Sequence, residues 1–95
     1  MNTQIRPAAT VILMREGTDI FEIFMVKRSM KSSFGSLYVF PGGTLDPEDS
    51  FPEMYQYCEG LSDDQASAKL AVNQNGLAYW VACIRECYAE AGILL

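Results

Sequence analysis

The 95-residue chain contains no histidine, no CxxC motif and no apolar run of the length that spans a membrane. The segment from Met1 to Pro7 also lacks the charged start and the apolar core of a secretory signal peptide. The sequence therefore gives no sign of targeting or of membrane insertion. We expect a single domain that works in the cytoplasm and does not contact a membrane.

Basic residues are also few, with 7 Lys and Arg against 12 Asp and Glu, which gives a formal net charge of −5. No basic stripe is present that could bind a nucleic acid backbone, so nucleic acid is excluded as a partner. An anionic small molecule would have to be bound locally, by a cation, by backbone N–H groups or by a few basic side chains.

Cysteine is limited to Cys58, Cys83 and Cys87, an odd number at spacings that fit no disulfide framework. Cys83 and Cys87 lie four residues apart on a predicted helix, where both could face one metal ion. Because neither histidine nor a CxxC pair accompanies them, buried free thiols are the favoured interpretation.

Two apolar runs in the first third of the chain predict a β-hairpin. They cover Ala8 to Arg15 and Ile20 to Lys27, with 4 turn-forming residues between them. A polar loop is expected over residues 28–36. Leu37 to Phe40 is then predicted to be a third strand, which ends at Pro41 because proline has no N–H to donate.

Two helices are predicted in the second half. Ser62 and Gln65 match a capping box, which predicts a helix from Asp63 to about Val72. A second helix begins at Leu77 and ends before Gly92, a residue type common just past a helix C-terminus. Its apolar residues recur at steps of three and four and predict one buried stripe: Leu77, Val81, Ile84, Tyr88 and Ala91.

The second helix also carries two carboxylates that point to chemistry. Glu86 and Glu90 are four residues apart, so they project from one face, and Ile84 lies on the opposite face. We therefore expect the acids to face away from the core. Two like charges near a helix C-terminus repel each other and oppose the helix dipole. A Mg²⁺ or Mn²⁺ ion would offset both penalties, and a solvated acidic face is the alternative.

A glycine pair, Gly42 and Gly43, directly follows the third predicted strand and Pro41. Two residues that can adopt positive φ predict a tight turn, or a close approach of the backbone to a ligand or another segment. Three parts of the sequence, Gly43, Asp49 and the run from Arg85 to Ile93, together resemble the Nudix box. The box reads G-x5-E-x7-R-E-U-x-E-E-x-G-U, in which U is a bulky apolar residue, and Gly43 stands at its first position. The resemblance covers the chain from about residue 8 to its end.

The sequence departs from the Nudix box at three places. Arg85 lies 42 positions after Gly43 where the box has 14, an insertion of 28 residues, at about residues 50–76. Such an insertion occurs in the acyl-coenzyme A diphosphatase branch of the family. Asp49 replaces a glutamate of the box, and Ala89 replaces the first glutamate of its E-E pair. The loss of a carboxylate at position 89 predicts weaker metal binding and slower turnover.

The resemblance implies a fold, an activity and a set of site residues. The chain would be the N-terminal portion, residues 1–95, of one Nudix domain of the α/β or α+β class, with a mixed sheet between helices that continues past the last residue. Glu86, Glu90 and the carbonyl of Gly43 would bind Mg²⁺ or Mn²⁺, and Glu86 and Arg85 would be catalytic, with Arg85 orienting a carboxylate through an ion pair. The substrate would be a small nucleoside diphosphate derivative such as coenzyme A or an acyl-coenzyme A.

Substrate contacts are implied for Arg28, Gly42 and Gly43. Arg28 and the Phe-Pro-Gly-Gly run fit a pattern of the coenzyme A branch at the correct spacing, whereas Ser33 and Leu37 replace its second arginine and its glycine. A surface arginine without a ligand is the alternative for Arg28.

The resemblance to the Nudix box leaves three functions open. An active metal-dependent diphosphatase is favoured, a nucleotide-binding module without turnover is suggested by Ala89, and a structural or interaction fragment is the third. A homodimer is a further expectation. The cytoplasm stays the expected location, with the peroxisome or the mitochondrion as alternatives in a eukaryote.

Overall fold

The first half of the chain forms strands and the second half forms helices in the computed structural model, which describes residues 5–29 and 36–95. The α+β class expected from the sequence is confirmed. The strands are β1 (Ala8–Thr10), β2 (Met14–Glu16), β3 (Phe21–Ile23), β4 (Val26–Ser29), β5 (Ser36–Val39) and β6 (Gly42–Thr44). A 3-10 turn at Pro47–Ser50 leads to the helices α1 (Pro52–Tyr55), α2 (Asp63–Leu70) and α3 (Leu77–Ala91).

The strand pairings of the described residues are all antiparallel and form three two-stranded sheets. The predicted hairpin is confirmed at its centre, where β2 pairs with β3 and Met14 lies opposite Ile23. The outer parts of the two predicted runs pair elsewhere, β1 with β6 and β4 with β5. Residues 30–35 of the predicted polar loop, Ser33 among them, lie outside the described residues. Arg28 and Ser29 belong to β4 instead of a loop.

The glycine pair is part of a strand, so the prediction of a tight turn there is wrong. Gly42 and Gly43 lie in β6 opposite Thr10 and Ala9, and neither has a positive φ. The close approach to another segment is confirmed, because a Cβ at Gly42 would lie 2.3 Å from the carbonyl oxygen of Ala9. Glycine is required here for space, since the backbone of the paired strand β1 lies directly beside it.

The helices begin and end close to the predicted residues. The Ser62 hydroxyl accepts the Gln65 N–H at 3.1 Å, and the Gln65 side chain accepts the Ser62 N–H at 2.9 Å, as the capping box requires. α3 ends at Gly92, whose φ of 69° and N–H bond to the Tyr88 carbonyl terminate it. Residues 51–60, which the sequence leaves unassigned, contain α1 with proline at its first position. No helix of the described residues is long and apolar enough to cross a membrane.

Small side chains make up most of the core, which centres on α3. The predicted stripe is correct at its start and wrong at its end, because Leu77 and Val81 are buried whereas Ile84 and Tyr88 are 37% and 59% exposed. β1, β6 and the 3-10 turn all pack against α3, and Gly43 of β6 contacts the Glu86 side chain. The expectation that the acids face away from the core is therefore wrong for Glu86. The buried apolar residues are Ala9, Ala66, Leu77, Ala78, Val81, Ala82 and Cys87.

Candidate functional site

Arg85 lies in the second half of α3 and reaches to the 3-10 turn. Its Nε donates to Oδ1 of Asp49 at 3.0 Å, and its Nη2 donates to Oδ2 at 2.9 Å. The Asp49 side chain is 2% exposed and also accepts the N–H of Asp46 at 2.8 Å. The pKa of Arg85 is raised above its ordinary value, chiefly by the hydrogen bonds to Asp49. A bidentate, charge-assisted pair of this kind fixes the orientation of the guanidinium.

The other edge of the guanidinium faces two more carboxylates. Nη1 donates to Oε1 of Glu86 at 2.6 Å and lies 3.4 Å from Oδ2 of Asp46. Nη2 also donates to the Thr44 carbonyl at 3.1 Å. Within the described part of the chain, no second basic side chain forms an ion pair with these acids. One guanidinium therefore forms ion pairs with three carboxylates, those of Asp46, Asp49 and Glu86, and the cluster keeps a net negative charge.

Glu86 lies directly over Gly43. A Cβ added at Gly43 would lie 2.8 Å from Cδ of Glu86 and 2.9 Å from its Oε1. Any other residue at position 43 would displace the Glu86 carboxylate, so this carboxylate can lie so close to β6 only at a glycine. The pairing of Gly43 with Ala9 fixes β6 under the helix. The structure thus brings Gly43 close to Arg85 and Glu86, which lie far from it in the sequence.

Glu90 and Ala89 lie one turn further along α3. Glu90 is half-buried and Ala89 is exposed. Glu90 is close enough to Cys87 for its charge to add to burial in raising the pKa of that thiol. Two carboxylates, of Glu86 and Glu90, therefore follow each other along the helix, and position 89 adds no third.

The other residues predicted to contact the substrate, Arg28 and Gly42, form no side-chain hydrogen bond or ion pair with this cluster within the described residues. Arg28 is exposed on β4 opposite Leu37, and it forms no ion pair with the cluster among the residues that the structure describes. Gly42 is packed against the Ala9 carbonyl, which gives it a role in strand approach.

Two grooves also lie away from this cluster. A groove of about 550 Å³ borders β2 and β3, and one of about 500 Å³ lies between β1 and α3. The second includes Tyr79, Trp80 and Cys83 in its wall. Neither includes Gly43, Arg85 or Glu86, so a ligand of the acidic cluster would have to be held by that cluster itself.

The residues present fit a divalent cation of the hard type. Such ions take carboxylate and carbonyl oxygens, and Mg²⁺ often uses one or two carboxylates, with water and substrate oxygens completing its coordination. Glu86, Glu90 and the Gly43 carbonyl supply oxygen donors of that kind. The described residues contain no group of three or more His, Cys, Asp or Glu side chains placed to hold a metal ion. These residues therefore suit an ion that takes two carboxylate ligands from the protein.

The three cysteines form no disulfide with one another. Cys87 is buried, and Cys58 and Cys83 are half-buried. Burial raises the pKa of the Cys83 thiol, and the neighbouring Cys87 adds to that effect. Since the thiolate is the reactive form, neither Cys83 nor Cys87 is activated as a nucleophile.

Sequence reasoning did not identify two parts of this cluster. Asp46 contacts the guanidinium, and the Thr44 carbonyl accepts from it. A signal for Asp46 was available, because Asp46 and Asp49 stand at the capping positions of a short helix that begins with proline. The Thr44 carbonyl had no signal, since a backbone acceptor does not depend on residue type.

Comparison of the chain with models of protein families, with curated proteins and with solved structures finds no significant match. An assignment of function therefore rests on the residues of the cluster and on their geometry.

Proposed function

We propose that this chain belongs to a metal-dependent hydrolase of the Nudix type, which cleaves the diphosphate bond of a small nucleoside diphosphate derivative. Coenzyme A and acyl-coenzyme A are the first substrates to consider. The observation that carries the proposal is the contact of the Glu86 carboxylate with Gly43, at a point where a Cβ would displace the carboxylate. Arg85 supports it by linking Glu86 to the buried carboxylate of Asp49.

The glutamates and the arginine receive different roles. Glu86, Glu90 and the Gly43 carbonyl would hold Mg²⁺ or Mn²⁺, which when bound polarises phosphate oxygens and lowers the pKa of an attacking water. Each nitrogen of the Arg85 guanidinium is engaged by Asp49, Thr44 or Glu86. We therefore assign Arg85 to positioning: it holds Glu86 in place and does not reach toward a substrate.

The proposal includes the arrangement of the fold. Residues 50–76, which contain α1 and α2, would be an insertion within the Nudix box, and the paired strands would belong to a mixed sheet between helices. Arg28, on the β4–β5 sheet, would meet a substrate phosphate only if the substrate extends beyond the acidic cluster. A homodimer and a location in the cytoplasm complete the proposal.

A second candidate is a nucleotide-binding module that has lost turnover. Ala89 favours it, because this exposed position lies between the two glutamates and supplies no carboxylate. A ligand that binds without being cleaved raises the melting temperature but gives no product.

The test compares Glu86→Gln and Glu90→Gln with Glu59→Gln, which removes the same charge at an exposed position outside the cluster. Coenzyme A and an ADP-sugar are incubated with each protein, with and without Mn²⁺, and phosphorylated products are separated by chromatography. We expect products only with metal, and a loss in both site variants at least as large as the roughly 10- to 100-fold typical of residues that orient metal ligands. Glu59→Gln should keep full activity. Cleavage without metal, or full activity of Glu86→Gln, would contradict the proposal, and stabilisation without product would favour the second candidate.

A further inference from the structure

The start of α3 is held by side chains of α2. The N–H of Asn75 donates to Oδ2 of Asp63 at 3.1 Å, and the N–H of Leu77 donates to Oδ1 at 3.0 Å. Between them, the N–H of Gly76 donates to the Ser67 hydroxyl at 2.8 Å. Three consecutive backbone donors at the start of one helix are thus satisfied by the preceding helix.

α3 has no means of capping itself. Its N-cap residue is Gly76, which has no side chain, and its first turn contains no acid. The first N–H groups of a helix lack partners within it, and they carry the positive end of the helix dipole. The Asp63 carboxylate supplies both acceptors and a negative charge at that point. Asp63 is itself held at the first position of α2 by the Ser62 capping box.

α2 and α3 also pack in close contact at the start of α3. A Cβ at Gly76 would lie 2.3 Å from the backbone nitrogen of Ser67. Ser67 is buried, as are Ala66 on α2 and both Leu77 and Ala78 on α3. The first turn of α3 therefore has little freedom to slide along α2 while these contacts are intact.

The same helix carries Arg85 and Glu86 further along. It is fixed at two points, at its start by α2 and in its second half by the bond from Arg85 to Asp49. An α-helix is stiff, so a tilt or rotation of its first turn is transmitted along the axis to the later residues. If the first point is released, α3 can tilt or rotate about the second, and the directions of the Glu86 and Glu90 side chains then change relative to Gly43.

We propose that Asp63 is a positioning residue for the acidic cluster: by binding the start of α3, it sets the position of Glu86 and Glu90 against Gly43. The inserted segment then takes part in the geometry of the site and is more than a surface addition. The statement that Glu86 and Glu90 bind metal rests on the proposed function, whereas the position of Glu86 against Gly43 does not.

The experiment compares Asp63→Ala and Asp63→Asn with Asp64→Ala. Asp64 is the matched control, because it is the adjacent exposed acid in the same turn and its loss changes the charge equally. Two properties are measured on the folded 95-residue chain: the backbone amide resonance of Gly43 by NMR, and the Mn²⁺ dissociation constant by titration. Gly43 lies on β6, outside the junction of α2 and α3, so its resonance reports the position of Glu86.

We expect Asp63→Ala to shift the Gly43 amide resonance and to weaken Mn²⁺ binding about tenfold, the low end for residues that orient metal ligands. Asp63→Asn keeps one oxygen acceptor and should give an intermediate result. It also carries the test if Asp63→Ala does not fold. Asp64→Ala should match the unaltered chain in both measurements.

A purely structural role for Asp63 predicts a different outcome. The melting temperature would fall, while the Gly43 resonance and the Mn²⁺ affinity of the folded protein would stay unchanged, and that result would overturn the inference. If the unaltered chain binds no Mn²⁺, the proposed function fails. The Gly43 resonance then still decides whether Asp63 positions Glu86.

Discussion

Arg85 binds Asp49 across 36 residues of sequence, and the carboxylate that it binds is almost completely withdrawn from solvent. This pair connects α3 to the 3-10 turn and fixes the guanidinium that holds Glu86. The pair both stabilises the fold and positions Glu86, so its loss should affect both stability and metal binding.

The first prediction concerns Asp49→Asn. The substitution keeps the shape but removes the charge and one acceptor, so that Arg85 or the Asp46 N–H loses its partner. Removal of one partner of a buried pair is strongly destabilising, and we expect about 3 kcal/mol, the lower end of the usual range, because Arg85 is partly exposed. Glu48→Gln, at an exposed acid of the same turn, should change the free energy of unfolding by less than about 0.5 kcal/mol. Urea denaturation measures both, and equal losses would contradict the assignment.

The second prediction separates the two neighbouring glycines. Gly43→Ala places a Cβ against the end of the flexible Glu86 side chain, which can move away, so the chain should fold but lose Mn²⁺ affinity. Gly42→Ala places its Cβ against the backbone oxygen of Ala9, which cannot move without breaking the β1–β6 pairing. We expect Gly42→Ala to cost about 1–3 kcal/mol, as overpacking does. Thermal unfolding and Mn²⁺ titration of both variants check this, and unchanged Mn²⁺ affinity in Gly43→Ala would argue against the metal site.

The third prediction restores the carboxylate that the Nudix box has at position 89. Ala89 is exposed, so Ala89→Glu should fold normally and add a ligand between Glu86 and Glu90. The Mn²⁺ concentration needed for half-maximal activity should fall. Gln74→Glu adds the same charge at another exposed position and controls for general electrostatic attraction. An equal effect in both variants, or none in Ala89→Glu, would count against the role of this helix face.

The fourth prediction concerns alkaline pH. The Tyr55 hydroxyl is buried and has no hydrogen-bond partner among the described residues, and burial, with a contribution from Asp63, raises the pKa of Tyr55 above its ordinary value of 10.0. Because the pKa of Tyr55 is higher in the folded state, its protonation contributes to the free energy of unfolding. This contribution is complete below pH 10.0 and is lost as the pH rises through the higher pKa of the folded state. Unfolding free energies measured in urea from pH 7 upward should show this loss in the unaltered chain.

Tyr55→Phe should reduce that alkaline slope, and the part that remains should come from the Cys83 and Cys87 thiols, whose pKa values are also raised. At neutral pH, the variant should be at least as stable as the unaltered chain, since it deletes an unpaired buried hydroxyl. Tyr57→Phe is the control, because Tyr57 is 80% exposed and its replacement should leave the slope unchanged. A slope in Tyr55→Phe as steep as in the unaltered chain would assign the alkaline transition to other groups.

Local signals in the sequence were sufficient for the helices. The Ser62 capping box and the terminal Gly92 act within a few residues, and they gave the start of α2 and the end of α3. The strand partners could not be obtained in this way. Whether β1 pairs with its sequence neighbour or with β6 depends on contacts across more than 30 residues, and apolar patterning is the same in either case.

The buried side of α3 shows the same limit. Periodicity located an apolar stripe that includes Ile84 and Tyr88, but the helix instead packs through small residues such as Ala78 and Ala82. The association of Gly43 with Glu86 could be anticipated from the resemblance to the Nudix box. The parts played by Asp46 and Asp63 depend on tertiary contacts that no local pattern encodes.

The contacts around α3 differ in how much chain must be ordered to form them, and this has a consequence for folding. The bonds that join α2 to α3 close loops of 9 to 14 residues, whereas the bond from Arg85 to Asp49 closes one of 36. Shorter loops cost less entropy to close, so we expect the helix pair to form in the transition state and the acidic cluster only afterwards. In stopped-flow kinetics, Asp63→Asn should mainly slow folding and Asp49→Asn should mainly speed unfolding, and the reverse pattern would refute this order. The cluster is then the last region to assemble and the first to open, so metal binding should slow unfolding more than it speeds folding.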